Sequence, residues 1–387
     1  MTEFANDQLV SGPSPARPRL RSWPGVFLLV TMALGAGLTL APREARMLPE
    51  GQNVVQGEWA QAFEKNLDAN TLFRQTGVDL WGLVNYALFR EGRPGVVIGE
   101  DGWLFTTEEF QYVPDEAAET QRKLSYIKEV QARLQASGAQ LVVAVVPAKA
   151  RIYEEYLGRY QLPSYTRNRY TTFVSALQRE GVPVTDLLPA LQSAKQRGAV
   201  FLRTDTHWTP FGAEVAATAI ARTAASLNPE LPQTEFQTTD AGRTSHAGDL
   251  LNYVPLGPLQ DRIGPRPDTL VRRTTQQTRA GSGEALLADD SQESDLLGGD
   301  AIPVVLVGTS YSASENWNFS GALKQALQSD VLNVAREGKG PILPMTGYLA
   351  GQELAESPPE LVVWEIPERF IPVSYDPKAD SPNPHTP

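Results

Sequence analysis

Three histidines serve a chain of 387 residues, and one of them, His207, stands two residues after Asp205 in the threonine-rich stretch "FLRTDTHWTPFGAEVAATAI". A carboxylate at that spacing can accept one ring N–H of the imidazole and leave the other nitrogen to take a proton. The group such a base would serve is a hydroxyl held on a tight turn. "VVLVGTSYSASENWNFSGAL" offers one: an apolar run at 304–307, Gly308 for the turn, then hydroxyl residues ahead of a helical pattern. Ser310 is the best placed, with Ser312 and Ser314 as rivals that spacing alone does not eliminate. A plainer reading stands beside this one: the serines cap or line a loop, and His207 is a half-buried residue at a helix start. Thr209 as N-cap and Pro210 in the first turn mark that start, so Asp205 and His207 fall in the turn before a helix over 210–227.

The elements that must position these residues follow from the hydrophobic pattern. "AQLVVAVVPAKARIY" is a continuous apolar run ending at Pro147, as a strand covered on both faces requires. Expected strands are 141–146, 182–186, 302–307, 330–334 and 360–366, with helices over 118–137, 168–180, 210–227 and 319–329. This alternation predicts an α/β domain with a central parallel sheet, and nucleophile and base converging at its carboxyl edge. Ahead of it, 57–89 spaces apolar residues as one or two amphipathic helices, and "VVIGEDGWLF" reads as strand, Asp-Gly turn and strand. Residues 255–300 are rich in Pro, Gly, Thr and Asp with weak periodicity and read as an insertion outside the sheet core.

Composition excludes several chemistries. With no cysteine there are no disulfides, no thiolate catalysis and no cysteine-ligated metal. Three histidines leave little for a histidine-rich metal centre, and a net charge of -11 argues against a nucleic-acid surface. The chain has neither a P-loop nor a dinucleotide fingerprint, so no cofactor is expected. Between Arg21 and Arg43 lie 21 residues without a charge, "SWPGVFLLVTMALGAGLTLAP", about the length that spans a bilayer as a helix. Arg17, Arg19 and Arg21 on one flank favour a cytoplasmic amino terminus, with a cleaved signal peptide as the competing reading. The expected layout is a cytoplasmic tail (1–22), a transmembrane anchor (23–42), a catalytic domain (47–372) in the periplasm and a disordered tail (373–387) that leaves His385 idle.

In order along the chain, "GEDGWLF", "VPAKARIY", "TDTHWTPFGA", "SHAGDLLNYVP", "VLVGTSYS" and "LVVWEIPERF" resemble the alginate O-acetylation proteins of the AlgJ and AlgX type. Their catalytic domains are SGNH-hydrolase-like, and the likeness covers roughly residues 50–370. In ordinary SGNH hydrolases the serine comes first and an Asp-x-x-His motif last; here Asp-x-His precedes the serine, as in the alginate proteins. The single span resembles membrane-anchored AlgJ, and no carbohydrate-binding module of the AlgX kind is evident after residue 370.

The resemblance implies a three-layer SGNH-like fold in which Ser310 is the nucleophile, His207 the general base and Asp205 the carboxylate that orients it. The implied reaction is acetyl transfer through an acetyl-serine to hydroxyls of an exopolysaccharide such as alginate, anionic or neutral. A membrane-bound O-acyltransferase would supply the acetyl groups, in association with a polymer export complex. The backbone N–H of Ser310 is a natural oxyanion donor, with that of Gly308 or a side chain as a second. Tyr311 and Asn316 are near enough in sequence to line the pocket, and Trp208 and Trp317 flank the two motifs where they could stack on sugar rings. Two other functions remain open at this point: an O-acetylesterase with the same triad, and a non-catalytic scaffold whose triad is vestigial.

Overall fold

The structure, a computed structural model, describes residues 23–40, 53, 57–70, 72–227, 229–278 and 302–374. The chain divides into two compact units, Met1–Trp81 and Gly82–Pro387. In the first, helices α1 (Trp23–Leu40) and α2 (Glu58–Asn70) precede most of α3 (Leu72–Val84). The described side chains of α1 are those of residues 25–34, and Phe27, Leu28, Leu29 and Met32 among them are exposed. Among the described residues no helix is long and apolar enough to cross a membrane. The rest of the expected span, both expected tails beyond residue 374 and before residue 23, and His385 lie outside the described residues.

In the second unit, the Asp-Gly turn joins β1 (Val96–Ile98) to β2 (Leu104–Thr106) as an antiparallel hairpin. Asp101 and Gly102 both take positive φ, 52° and 77°, the conformation that makes Asp-Gly the favoured pair for such a turn. Five strands then build the parallel sheet. They are β3 (Gln140–Val146), β4 (Val184–Asp186), β7 (Val304–Val307), β8 (Val331–Asn333) and β9 (Leu361–Pro367), in the order β4-β3-β9-β7-β8. The intervening β5 (Phe236–His246) and β6 (Asp268–Gln277) pair separately as an antiparallel ribbon.

Burial on both faces explains the unbroken apolar runs. Val142, Ala144 and Val146 of β3 pack with α6 (Pro210–Ala225) and α8 (Phe319–Leu327) through Ala213, Ala217, Ile220 and Leu323. Leu141, Val143 and Val145 point the other way, to α4 (Glu116–Ala136), α5 (Arg169–Arg179) and α9 (Ile342–Ala350) through Ile127, Leu134, Phe173 and Met345. The result is the expected three-layer α/β arrangement. The ribbon was not expected: residues 268–277 fall inside the segment read as an insertion, and they form a strand. Its side chains are mostly polar and exposed or half-buried, with Leu270 buried, so it carries no sustained apolar alternation to mark it. Residues 279–300 of that segment lie outside the described residues.

Candidate active site

At the carboxyl end of β7 the chain must turn sharply into α7 (Ser310–Ala313), whose first residue is Ser310. Gly308 is required there, because a Cβ would stand 2.5 Å from Glu365 Oε2 and 2.7 Å from Ser312 Oγ. Thr309 caps the helix, and the fully buried Glu365 of β9 braces the turn from below. It accepts hydrogen bonds from Thr309 N (2.7 Å), Thr309 Oγ1 (3.0 Å) and Ser312 Oγ (3.0 Å). Burial pushes the Glu365 carboxyl pKa up, and these donors only partly offset it. Ser312 is therefore occupied beneath the turn, while the Ser310 hydroxyl faces His207.

The loop 201–209 carries His207, the candidate base. A bridge between Phe201 and Trp208 closes it, and Thr209 Oγ1 accepts from Gly212 N at 3.0 Å, capping α6 as its sequence implies. Lys149, wholly buried, secures the loop by donating to three carbonyl oxygens, those of Leu104 (2.6 Å), Arg203 (2.9 Å) and Asp205 (2.8 Å). Burial lowers the Lys149 pKa to about 8 despite nearby carboxylates. Gly248 packs so closely on this loop that a Cβ would lie 2.2 Å from Thr204 O.

His207 Nδ1 donates to Asp205 Oδ1 at 2.6 Å, and His207 Nε2 accepts from Ser310 Oγ at 2.7 Å. Asp205, His207 and Ser310, the three residues the resemblance implies, thus form one continuous hydrogen-bonded chain, within the range direct proton transfer requires. The other oxygen of Asp205 is equally engaged: Oδ2 accepts from His246 Nε2 (2.8 Å) and from the backbone N of Asp249 (3.1 Å). Burial opposes ionisation of Asp205, but the hydrogen bonds from His207 and His246 more than offset it and hold the carboxyl well below the usual carboxylate range.

The β5–β6 ribbon, illegible in the sequence, turns out to deliver groups to this loop. His246 is its last β5 residue, and Asp268, its register partner on β6, accepts from Arg203 N (3.0 Å), Thr204 N (2.8 Å) and Thr204 Oγ1 (2.6 Å). Asp249, just after β5, accepts from Thr206 N (2.8 Å) and Thr206 Oγ1 (2.6 Å). Asp205, His207 and Asp249 approach closely enough to suggest a metal site, yet protein groups already engage the donor atoms of all three.

Of the four residues expected to line the pocket or stack on sugars, three are buried. Trp208 is 0% and Tyr311 2% exposed, so neither can stack on a ligand. Trp208 Nε1 donates to Tyr311 O (3.1 Å), and the Tyr311 hydroxyl donates to Thr206 O (2.7 Å), which makes both residues internal struts of the site. Trp317 is also buried; its ring stacks on His207 (centroids 5.1 Å, 20°) and its Nε1 donates to Ser310 O. Asn316 is exposed. A cavity of about 330 Å³ adjoins the acid side of the triad, lined by Thr206, Asp249, Glu108, Asn252, Tyr253 and Arg369. None of the four expected residues lines it.

Residues 96–368 match a family described as "SGNH hydrolase-like domain, acetyltransferase AlgX". The chain belongs to this AlgX-type SGNH-like family. The matched region encloses Asp205, His207, His246 and Ser310, together with Lys149 and Glu365. The chain is 42% identical over 353 residues to the probable alginate O-acetylase AlgJ of Pseudomonas putida, covering 90% of this chain and 89% of the relative. It is 44% identical to the corresponding protein of Azotobacter vinelandii, over 84% of this chain and 81% of the relative. Among solved structures, the O-acetyltransferase domain of Pseudomonas putida AlgJ aligns with a TM-score of 0.66 at 42% identity, covering 74% of this chain and 96% of that one.

Proposed function

We propose that this protein O-acetylates alginate, and that it does so through an acetyl-serine on Ser310. The observation that carries the reading is the Ser310–His207–Asp205 chain at the sheet's carboxyl edge, in a polypeptide whose relatives are named alginate O-acetylases. In the first half-reaction His207 Nε2 takes the Ser310 proton as Oγ bonds to the acetyl carbonyl carbon. The donor's ester bond then breaks, and its leaving oxygen takes that proton from His207. In the second half-reaction a polymer hydroxyl gives its proton to His207 and attacks the acetyl group, and the serine oxygen leaves with the proton restored. Asp205 holds the imidazole in the required tautomer throughout and stabilises its charged form. The backbone N–H of Ser310, at the first position of α7, is the natural donor to the oxyanion.

The 21 charge-free residues between Arg21 and Arg43 and the arginines that precede them support an anchor in the inner membrane with the catalytic unit in the periplasm. Acetyl groups would then reach Ser310 from a membrane-bound O-acyltransferase. A transfer assay tests the reading: purified protein, a chromogenic acetyl ester and mannuronate oligomers should yield acetylated oligomers, and Ser310→Ala should yield none. Ester cleavage that no concentration of oligomer diverts from water would assign an O-acetylesterase instead.

A further inference from the structure

Resting on that reading, we infer that His246 is a positioning residue for the reaction, a second imidazole that shares the Asp205 carboxylate and sets how much of its negative charge His207 receives. A carboxylate that orients a catalytic histidine has to resist rotation about its own Cβ–Cγ bond. Here each oxygen is held by its own pair of donors. Oδ1 accepts from the backbone N (2.9 Å) and ring Nδ1 (2.6 Å) of His207, and Oδ2 accepts from His246 Nε2 (2.8 Å) and Asp249 N (3.1 Å). Without the His246 bond, Oδ2 would keep only the longest of the four contacts.

The setting of His246 supports a role beyond packing. Trp317 touches both imidazoles, stacking on His207 and meeting His246 edge-on at 5.5 Å. The two rings therefore sit on one carboxylate and against one indole. His246 touches Asp205 and not the reacting atoms, so its influence on chemistry passes through that carboxylate. The charged groups facing it are acidic and come from each neighbouring element: Asp205 on the catalytic loop, Asp249 after β5 and Asp268 on β6. The Asp205 hydrogen bond raises the His246 pKa, against the opposing effect of burial.

When His246 carries a proton, its charge counters that of Asp205, and the imidazolium that His207 becomes during proton transfer is less stabilised. When His246 is neutral, its Nε2–H still anchors Oδ2 while the full carboxylate charge serves His207. Turnover should therefore rise as His246 loses its proton.

The experiment compares full-length wild type, His246→Ala, His246→Gln and Ser310→Ala in chromogenic acetyl-ester turnover across pH 5–9, with thermal melting to establish folding. His246→Ala should lower kcat by roughly 10- to 100-fold, in line with loss of one charge-assisted hydrogen bond, with a smaller effect on KM. His246→Gln, which keeps an N–H donor but cannot titrate, should recover much of the rate, and the part of the acidic fall that follows His246 protonation in wild type should be missing from its profile. Wild-type kcat and an unchanged pH profile in both His246 variants would overturn the inference. Should His246→Ala fail to fold, the His246→Gln profile alone decides. Ser310→Ala separates this outcome from the functional reading: if it stays active, the nucleophile assignment is wrong, whereas inactive Ser310→Ala beside unaffected His246 variants rejects the His246 role alone.

Discussion

Replacing Asp205 by Asn removes a charge while keeping the shape, and the structure sets its cost. The side chain receives four N–H donors in all, two on each oxygen, whereas an amide has one acceptor oxygen. If the amide oxygen keeps the two His207 donors, the new NH2 faces His246 Nε2 and Asp249 N. His246 can move its proton to the other ring nitrogen and accept, but the Asp249 N–H cannot, and a buried donor left without a partner costs about 1–3 kcal/mol. If the amide turns the other way, it forces His207 into the tautomer that cannot accept from Ser310. Either orientation leaves the imidazolium without its counter-charge. In the serine proteases the same Asp-to-Asn change lowers kcat about 10⁴-fold, which is roughly 5 kcal/mol of barrier. We expect acetyl-ester turnover by Asp205→Asn to fall about 10³- to 10⁴-fold, with a loss of about 1–3 kcal/mol in urea denaturation. A folded Asp205→Asn protein turning over within about tenfold of wild type would refute the orienting role.

Further outcomes follow from the neighbouring geometry. Ser312→Ala removes one hydrogen bond to Glu365 and should cost about 1 kcal/mol in denaturation while ester turnover stays close to wild type. Glu365→Ala leaves the Thr309 and Ser312 donors without their acceptor and opens a cavity under the turn that carries Ser310; denaturation should show a loss of at least about 3 kcal/mol, with Glu365→Gln much milder because it preserves volume and one acceptor. Since the folded-state pKa of His246 is raised, its contribution to stability is fully present below the unfolded value near 6.5 and is lost as pH rises through the folded value. Paired urea titrations of wild type and His246→Gln should show a stability gap that narrows from pH 5.5 to pH 8.5; a gap that widens would contradict the sign.

Much of the sheet was legible because β3, β7 and β9 are buried on both faces and so are written as unbroken apolar runs. The settings of Ser310 and His207 were legible from local pattern, Gly308 after an apolar strand and Thr209-Pro210 opening a helix just after His207, but spacing left Ser312 and Ser314 as rivals and the resemblance supplied the choice. The short edge strands came out narrower than expected, β4 at 184–186 and β8 at 331–333, since an apolar run does not say where pairing stops. His246 was not legible as part of the site. It lies 41 positions from Asp205, at the end of a ribbon whose polar faces give no period, and only the fold joins them. Lys149 was hidden for the opposite reason, as an ordinary residue in "VPAKARIY" whose burial follows from the loop it supports. Aromatic residues misled: a tryptophan beside a catalytic loop looks the same in sequence whether it faces a cleft, as expected for Trp208 and Trp317, or the core, where both lie.

The central claim is that Ser310 carries the acetyl group, and mass spectrometry of protein quenched in acid seconds after mixing with an acetyl ester tests it most directly. The account predicts one added acetyl group on the peptide containing "VGTSYS", located on Ser310, lost on addition of mannuronate oligomers and absent from Ser310→Ala. An acetyl group on Ser312 or Ser314, or turnover by a Ser310→Ala protein that never becomes acetylated, would contradict it.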